Sequence, residues 1–313
     1  MKTIIARVRE HARDVLKDSS DILTLDTKAI DTNLIPRLEE LHKVWTKLPF
    51  TRGHRPFDQD LGLVVFYNVM NFCFQDPKTK HEYTYTTQAG KKLTRSTAFF
   101  DALSEAPVDW NDPKAVRRIT LEKWMKWTQQ SDKNVLYMGK ERLEKAIGFA
   151  NFLIEKGYPS VVAFVEADQL DAQNMIYAFI ESGYYGDEFL KRAQLTIRSI
   201  NEIMIAHRHL HIKRVELLTC MADYRLPQVF YNTGVVLLSD RLKKRLQNQE
   251  EILDGSSEEK ALRATVIVVG EYIAKKMNLP EASIDRLLWE LSQEMASEGE
   301  LPIPHMLVAT DKY

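Results

Sequence analysis

Apolar residues recur at helical spacing along almost the whole chain, and this periodicity limits the possible folds more than any other feature. One stripe runs from Ile4 to Val15, with charged residues between its members. Apolar residues at i, i+3 and i+4 share one face of an α-helix and predict amphipathic helices. The pattern continues in DLGLVVFYNVMNFCF, KERLEKAIGFANFLIEKG, DEFLKRAQLTIRSINEIMIAHR, VELLTCMADYRLPQVFYNTGVV and SEEKALRATVIVVGEYIAKKM. We therefore expect an all-α fold.

One segment departs from the helical pattern. In HEYTYTTQAGKKLTRST, residues 81–97, tyrosines alternate with threonines before a turn that contains Gly90. Alternation before a glycine-containing turn, followed by a second, polar strand, predicts a β-hairpin. No long linker rich in Gly, Ser or Pro interrupts the chain, and its 44% of hydrophobic residues is ample for a buried core. We expect a single helical domain over residues 1–313 with a small inserted hairpin; two lobes within it are the alternative arrangement.

Charge and cysteine content indicate which partners and which cellular compartment to expect. Lys and Arg total 43 against 44 Asp and Glu, so the formal net charge is −1 and no bulk field draws the protein onto nucleic acid or anionic lipid. No stretch reaches the length of apolar sequence that spans a membrane. Cys73 and Cys220 are far apart, and each lies in an apolar segment, which favours reduced thiols. We expect a cytoplasmic monomer that contacts neither membrane nor nucleic acid directly.

The common cofactor signatures are absent. The sequence contains no GxGxxG, GxxxxGK[ST], GxSxG, HExxH or paired CxxC motif. The alternating histidines of HRHLH, namely His207, His209 and His211, suit neither one helical face nor a zinc site. We predict no cofactor and no metal, and we interpret HRHLH as a polar loop for which phosphate contact is a better hypothesis than metal binding.

Asp223 is the acid whose surroundings most need an explanation. It lies in TCMADYRLPQVFYNTGVV between apolar residues on both sides. Burial of a carboxylate there costs free energy of folding unless the charge is paired or has a function. Lys191 adjoins another apolar helical stretch, and a lysine and an aspartate on adjacent helices can converge on one cavity. From the residues alone, the more ordinary interpretation is an ion pair between Asp223 and Arg225, with Lys191 at the surface.

Seven stretches carry a resemblance to a known family. They are NVMNFCFQDP, FLKRAQ, LLTCMADYRLPQVFYNTGVV, DGSSEEKALRAT, VIVVGEYI, SIDRLLWE and PIPHMLVATDKY. In this order, from about residue 60 to the end of the chain, they resemble the queuosine salvage family of queuosine 5′-phosphate N-glycosylases. The resemblance implies an all-helical fold similar to the helix-hairpin-helix DNA glycosylases, above all the archaeal oxoguanine type. It also implies hydrolysis of queuosine 5′-monophosphate to queuine and ribose 5-phosphate, which salvages queuine for tRNA modification.

The resemblance implies roles for particular residues as well. In such glycosylases a lysine and an aspartate face the sugar, and the matching positions are Lys191 and Asp223. A carboxylate near the ring carbon stabilises the positive charge that develops as the ribosyl C–N bond breaks. Tyr224 and Arg225 are expected to bind substrate or to hold the rotamer of this acid. His54 in TRGHRPF is a further candidate for a sugar or phosphate contact, and a capping or loop histidine is the more ordinary interpretation.

The NFCFQDP stretch is the predicted base-binding surface. Phe72 and Phe74 offer a stacking face for a purine-like base, and Asn71 and Asp76 can pair with its polar edges. Burial of both rings in the core is the alternative.

Two other functions remain open from the sequence. A DNA glycosylase for a damaged base would share the fold and the lysine–aspartate pair, but it should carry a basic face for the phosphates of a duplex. A non-catalytic protein that binds a modified nucleoside would need no catalytic acid. The near-neutral charge argues against the DNA glycosylase, and hydrolysis of a supplied nucleotide separates the enzyme from the binding protein.

Overall fold

The structure, a computed structural model, describes residues 3–44, 55–131 and 134–313. The helices are α1 (Ile4–Asp18), α2 (Thr27–Ala29), α3 (Ile35–Val44), α4 (Phe57–Val69), α5 (Arg95–Glu105), α6 (Pro113–Arg117), α7 (Leu121–Thr128), α8 (Gly139–Glu155), α9 (Val161–Ala167), α10 (Ala172–Glu181), α11 (Lys191–Arg208), α12 (Leu226–Asn232), α13 (Asp240–Gln247), α14 (Ser257–Met277) and α15 (Glu281–Ser297). None of the helices in these ranges is long and apolar enough to cross a membrane. The predominance of helices confirms the predicted fold class, whereas similarity to the helix-hairpin-helix DNA glycosylases stays a prediction.

The strands form two short antiparallel pairs. Strands β2 (Thr84–Thr86) and β3 (Lys92–Thr94) pair with Tyr85 opposite Leu93, so the predicted hairpin is confirmed. Strands β1 (Leu23–Leu25) and β4 (Val236–Leu238) form the other pair, which the sequence did not predict. Each is only three residues long, which is too short for a pattern of alternation to indicate a strand.

Several helix predictions extend too far, two of them next to the predicted site residues. The helix predicted through residue 74 ends at Val69, and the following segment is non-helical. The helix predicted over VELLTCMADYRLPQVF begins only at Leu226; it is preceded by a 3-10 turn, Val215–Leu217, and an irregular segment, residues 218–225. Pro227 explains the second boundary: it has no N–H to donate to the carbonyl four residues earlier, so the helix cannot extend back to Asp223, whereas proline is tolerated in the first turn. Asp223 is therefore a loop residue.

Contacts along the chain define two compact units. The first unit consists of the described part of residues 1–48 together with Glu188–Lys191 and Glu216–Ala309. The second unit consists of the described part of residues 49–187 together with Arg192–Val215 and Thr310–Tyr313. Helix α11 contributes its first residue to the first unit and the rest to the second.

Helix α14 is the centre of the first unit. Helices α1, α3, α12 and α15 all pack against it, and most of its residues from Ala261 to Ala274 are buried. Its first turn is capped by the Ser256 hydroxyl, which accepts a hydrogen bond from the Glu259 N–H at 3.3 Å. Gly270 lets the loop that carries Cys220 approach closely, because a Cβ atom at this position would collide with the cysteine Sγ. The segment that leads to Asp223 thus lies directly on α14.

Helix α4 occupies the corresponding position in the second unit. It is buried from Asp60 to Val69, and helices α5, α8 and α9 pack around it. Aromatic rings fill the space between them; Phe66, for example, meets Phe149 edge-on with centroids 5.5 Å apart. The loop that carries the predicted base-binding residues follows α4 directly.

Candidate active site

Asp223 caps the start of α12 with one carboxylate oxygen. Its Oδ1 accepts hydrogen bonds from the backbone N–H groups of Arg225 at 2.8 Å and Leu226 at 3.2 Å. The residue is half-buried, and Oδ2 accepts no hydrogen bond from any residue that the structure describes. Backbone amides therefore fix the rotamer, while the second oxygen remains available to a ligand.

Buried contacts on both sides fix the backbone just before Asp223. The N–H of Met221 donates to Oδ1 of Asp285 at 2.8 Å, and the carbonyl of Ala222 accepts from Nε of Arg263 at 2.8 Å. The Arg263 guanidinium also pairs with Glu259 at 3.2 Å, and both side chains are only 1% exposed. The loop is thus held by charged groups that are themselves inside the first unit.

Lys191 is the first residue of α11 and is only 6% exposed, so the alternative of a surface lysine is wrong. The preceding Leu190 has a φ of 56°, a left-handed conformation that is strained for a branched residue. Phe189 lies under the Arg263 guanidinium at 4.9 Å from ring centroid to Cζ. Lys191 and Asp223 consequently lie in one unit, on two segments that both contact Arg263.

The two residues that follow Asp223 make different side-chain contacts. The Tyr224 ring lies 5.0 Å from the ring of His305, and the Arg225 guanidinium donates to Oε1 of Gln228 at 3.1 Å. The contact of Arg225 with Asp223 is made by its backbone amide rather than by its charge. Tyr224 and Arg225 are both half-buried.

His305 is a residue that the sequence prediction missed. It is 7% exposed, and its Nδ1 lies 3.0 Å from the carbonyl oxygen of Met306. A carbonyl can only accept, so Nδ1 is the donor in this hydrogen bond. The only sequence signal is its place in the PIPHMLVATDKY motif.

The predicted base-binding residues lie in the second unit, on a loop held by Arg142. This arginine is fully buried and donates to the carbonyl groups of Met70, Phe72, Cys73 and Tyr137. Its guanidinium lies 4.3 Å from the ring centroid of Phe72 and 4.6 Å from that of Phe74. The rings are 1% and 3% exposed, so each packs in the interior against a cation. Stacking on a base stays a prediction for both.

Asn71 and Asp76 border the same loop and differ in their hydrogen bonding. Asn71 is 7% exposed and donates through Nδ2 to Oδ1 of Asn68 at 3.3 Å. Both oxygens of Asp76 accept within a tight turn, from the Lys78 N–H at 2.9 Å and the Thr79 hydroxyl at 2.7 Å. Burial opposes ionisation of Asp76, but the hydrogen bonds from Thr79 and Lys78 outweigh it and lower the pKa of the carboxyl.

The remaining predicted residues lie elsewhere. His54 is outside the described residues. In the HRHLH segment, His207 pairs with Asp60 at 3.1 Å, while the nearby Arg214 pairs with Asp171. Within the described ranges, no group of three or more His, Cys, Asp and Glu side chains could hold a metal ion.

Burial raises the pKa of the Cys73 thiol, which keeps it protonated and unreactive.

Three curated relatives are all called queuosine 5′-phosphate N-glycosylase/hydrolase. The Mus musculus protein is 24% identical over 314 residues, which cover 92% of this chain and 91% of that protein. The Sphaerobacter thermophilus protein is 24% identical over 257 residues, 76% of this chain and 77% of that protein. The Schizosaccharomyces pombe protein is 30% identical over 126 residues, 39% of this chain and 36% of that protein.

A protein-family comparison covers most of the chain. The model described as queuosine salvage protein matches residues 55–310, a range that includes Lys191, Asp223 and the loop held by Arg142. Because this match extends over far more than half of the sequence and agrees with the relatives, the chain belongs to the queuosine salvage protein family.

Proposed function

We propose that this protein hydrolyses the N-glycosidic bond of queuosine 5′-monophosphate and releases queuine and ribose 5-phosphate. Membership of the family and the printed names of its relatives support the substrate. The structural observation that carries the chemistry is Asp223, with one oxygen held by two backbone amides and the other unengaged by the described residues. The reaction would serve the salvage of queuine for tRNA modification.

Asp223 is the proposed catalytic carboxylate. Cleavage of a ribosyl C–N bond passes through an oxocarbenium-like state with positive charge on the ring carbon and oxygen. An opposite charge at about 4 Å and an effective dielectric near 20 is worth about 4 kcal/mol. Oδ2 can also orient the attacking water, whose oxygen bonds to the ring carbon as the C–N bond breaks. One water proton passes to the departing base, and the other stays on the new hydroxyl.

Lys191 is the proposed electrostatic partner. A buried ammonium on the same unit as Asp223 can bind the sugar hydroxyls and keep the carboxylate ionised. A Schiff base with the sugar is the less favoured role, because the expected product is free ribose phosphate.

The proposed substrate contacts are divided between two groups of residues. Tyr224 and Arg225, the two residues that follow Asp223, are proposed to hold Asp223 and face the substrate. Asn71 and Phe72 are proposed to recognise the base, ahead of Phe74 and Asp76. His54 keeps its proposed sugar or phosphate role.

The protein is proposed to be a monomeric, cytoplasmic enzyme that acts on a small nucleotide without direct nucleic-acid contact. The formal net charge of −1 supports this choice over a DNA glycosylase, which needs a basic face.

A product assay tests the function. The purified protein is incubated with queuosine 5′-monophosphate, with the free nucleoside, and with a duplex that carries a damaged base, and free base is followed by chromatography. Release from the monophosphate is expected. Release from the duplex alone would support a DNA glycosylase. Tight binding without release from any of the three would support a nucleoside-binding protein.

Replacing Lys191 by Met should lower kcat by about 10² to 10³, the usual cost of removing one electrostatic contact to a transition state. Lys191→Met keeps the length of the buried stem, so the melting temperature should change little. The matched control is Lys260→Met, since Lys260 pairs at 3.4 Å with Glu188 in the segment that carries Lys191. An unchanged kcat in Lys191→Met would contradict the proposed role. Borohydride trapping of a protein–sugar adduct would instead favour the Schiff base.

A further inference from the structure

One buried arginine contacts both segments that carry the proposed catalytic residues. Nε of Arg263 donates to the carbonyl of Ala222, the residue before Asp223, at 2.8 Å. The same guanidinium lies 4.9 Å from the ring centroid of Phe189, two residues before Lys191. Arg263 is 1% exposed and cannot itself reach solvent. Its contacts therefore connect two loops that are distant in sequence and both belong to the first unit.

Glu259 holds this arginine in place. Oε1 of Glu259 pairs with Arg263 at 3.2 Å, one helical turn along α14. Oε2 accepts from the Gly255 N–H at 3.2 Å, so the carboxylate is fixed at both oxygens. A carboxylate in the first turn of a helix is also favoured by the helix dipole. The chain of contacts thus runs from the start of α14 through Glu259 and Arg263 to Ala222.

Stability alone does not explain why Arg263 and Glu259 form a buried ion pair. Two charges taken out of water cost several kcal/mol each, and apolar side chains of similar volume often stabilise a core as well or better. What an apolar side chain cannot supply is a planar donor that bonds a carbonyl on one loop while it covers an aromatic ring on another. The geometry at Arg263 meets both of these demands at once.

We propose that Arg263 is a positioning residue that sets the placement of Asp223 relative to Lys191, an inference that rests on the proposed function. It touches neither the substrate nor the reacting atoms. Displacement of catalytic groups by about 1 Å can cost on the order of 10² in rate. Loss of the forked donor should therefore lower kcat and leave the affinity for substrate nearly intact.

The test compares two identical substitutions in the first unit. Arg263→Lys keeps the positive charge opposite Glu259 but removes the fork. Arg245→Lys is the control: Arg245 pairs with Glu258 and donates to the Glu251 carbonyl at 2.8 Å, without contact to either loop. For both variants, kcat and KM are measured with queuosine 5′-monophosphate at equal folded fraction, and melting temperatures are recorded. For Arg263→Lys we expect a kcat loss of about ten- to a hundredfold with KM within about threefold. For Arg245→Lys we expect no change in kcat.

The possible outcomes separate the inference from the function. An active parent whose Arg263→Lys variant keeps its kcat, or loses no more than Arg245→Lys, overturns the inference alone. A parent that releases no base overturns the proposed function and this inference with it. Should Arg263→Lys fail to fold, Glu259→Gln takes its place, because it keeps Arg263 but weakens its anchor. A folded Glu259→Gln variant with the kcat of the parent would then overturn the inference.

Discussion

The Asp223→Asn variant is expected to lose about a thousandfold in kcat while it folds as the parent does. The charge is worth about 4 kcal/mol to the transition state, which corresponds to about a thousandfold in rate. The fold should persist, since the amide oxygen of asparagine can accept the same two backbone hydrogen bonds that Oδ1 accepts now, and asparagine caps helices as well as aspartate does. Single-turnover release of queuine measures the rate of bond cleavage, and a thermal melt measures the stability of the fold.

Asp26 provides a closely matched control. Its Oδ1 also accepts from the amides two and three residues ahead, Lys28 at 2.9 Å and Ala29 at 3.1 Å, and it lies in the same unit. Asp26→Asn makes the same chemical change in the same local geometry and should leave kcat unaltered. If Asp223→Asn retained more than about a tenth of the parental kcat, the carboxylate would be only a helix cap.

The largest loss of stability is expected from Arg142→Met. Methionine retains much of the stem, but it removes the donors of several buried carbonyl groups, each of which costs about 1 to 3 kcal/mol when left unsatisfied. We expect a loss of about 4 kcal/mol in the free energy of unfolding, or on the order of 10 °C in melting temperature. Urea unfolding and calorimetry measure both.

Arg208 is the comparison for this loss, because it is an arginine of the second unit in a more exposed setting. It stacks on Phe57 at 3.7 Å and pairs with Glu166 at 2.5 Å, with a side chain that is 39% exposed. Arg208→Met should cost about 1 kcal/mol or less, as exposed pairs do. Equal losses in the two variants would mean that the carbonyl contacts of Arg142 contribute little.

Periodicity predicted the fold class and the hairpin, but it failed where the chain leaves a helix within apolar sequence. The helix predicted from Asp187 starts only at Lys191, because Leu190 adopts a left-handed conformation. No pattern in the neighbouring sequence indicates this conformation. The segment around Asp223 reads as helical from its apolar spacing. Its actual path is set by Arg263 and Asp285, which bond its backbone from elsewhere in the chain.

The candidate site was predictable only in part, for the same reason. Asp223 stands out because an acid is rare in apolar sequence, and the family resemblance assigns a role to Lys191. Arg142 and Arg263 do not stand out, since their acceptors are backbone carbonyl groups that every residue possesses. Arg263 also follows Glu259 at the spacing of an ordinary surface pair on a helix, and only its burial distinguishes it.

The division of the first unit among separate stretches of chain has a consequence for biosynthesis. Helix α1 ends at Asp18, whereas its packing partner α14 begins only at Ser257, so the two helices are made far apart in time. The amphipathic face of α1 therefore stays uncovered until α14 has left the ribosome, whereas α4, α5, α8 and α9 can already pack together. Contacts so distant in sequence form slowly. A nascent chain halted before α14 would expose the apolar side of α1 to chaperones and proteases, and no contiguous fragment would contain the first unit on its own.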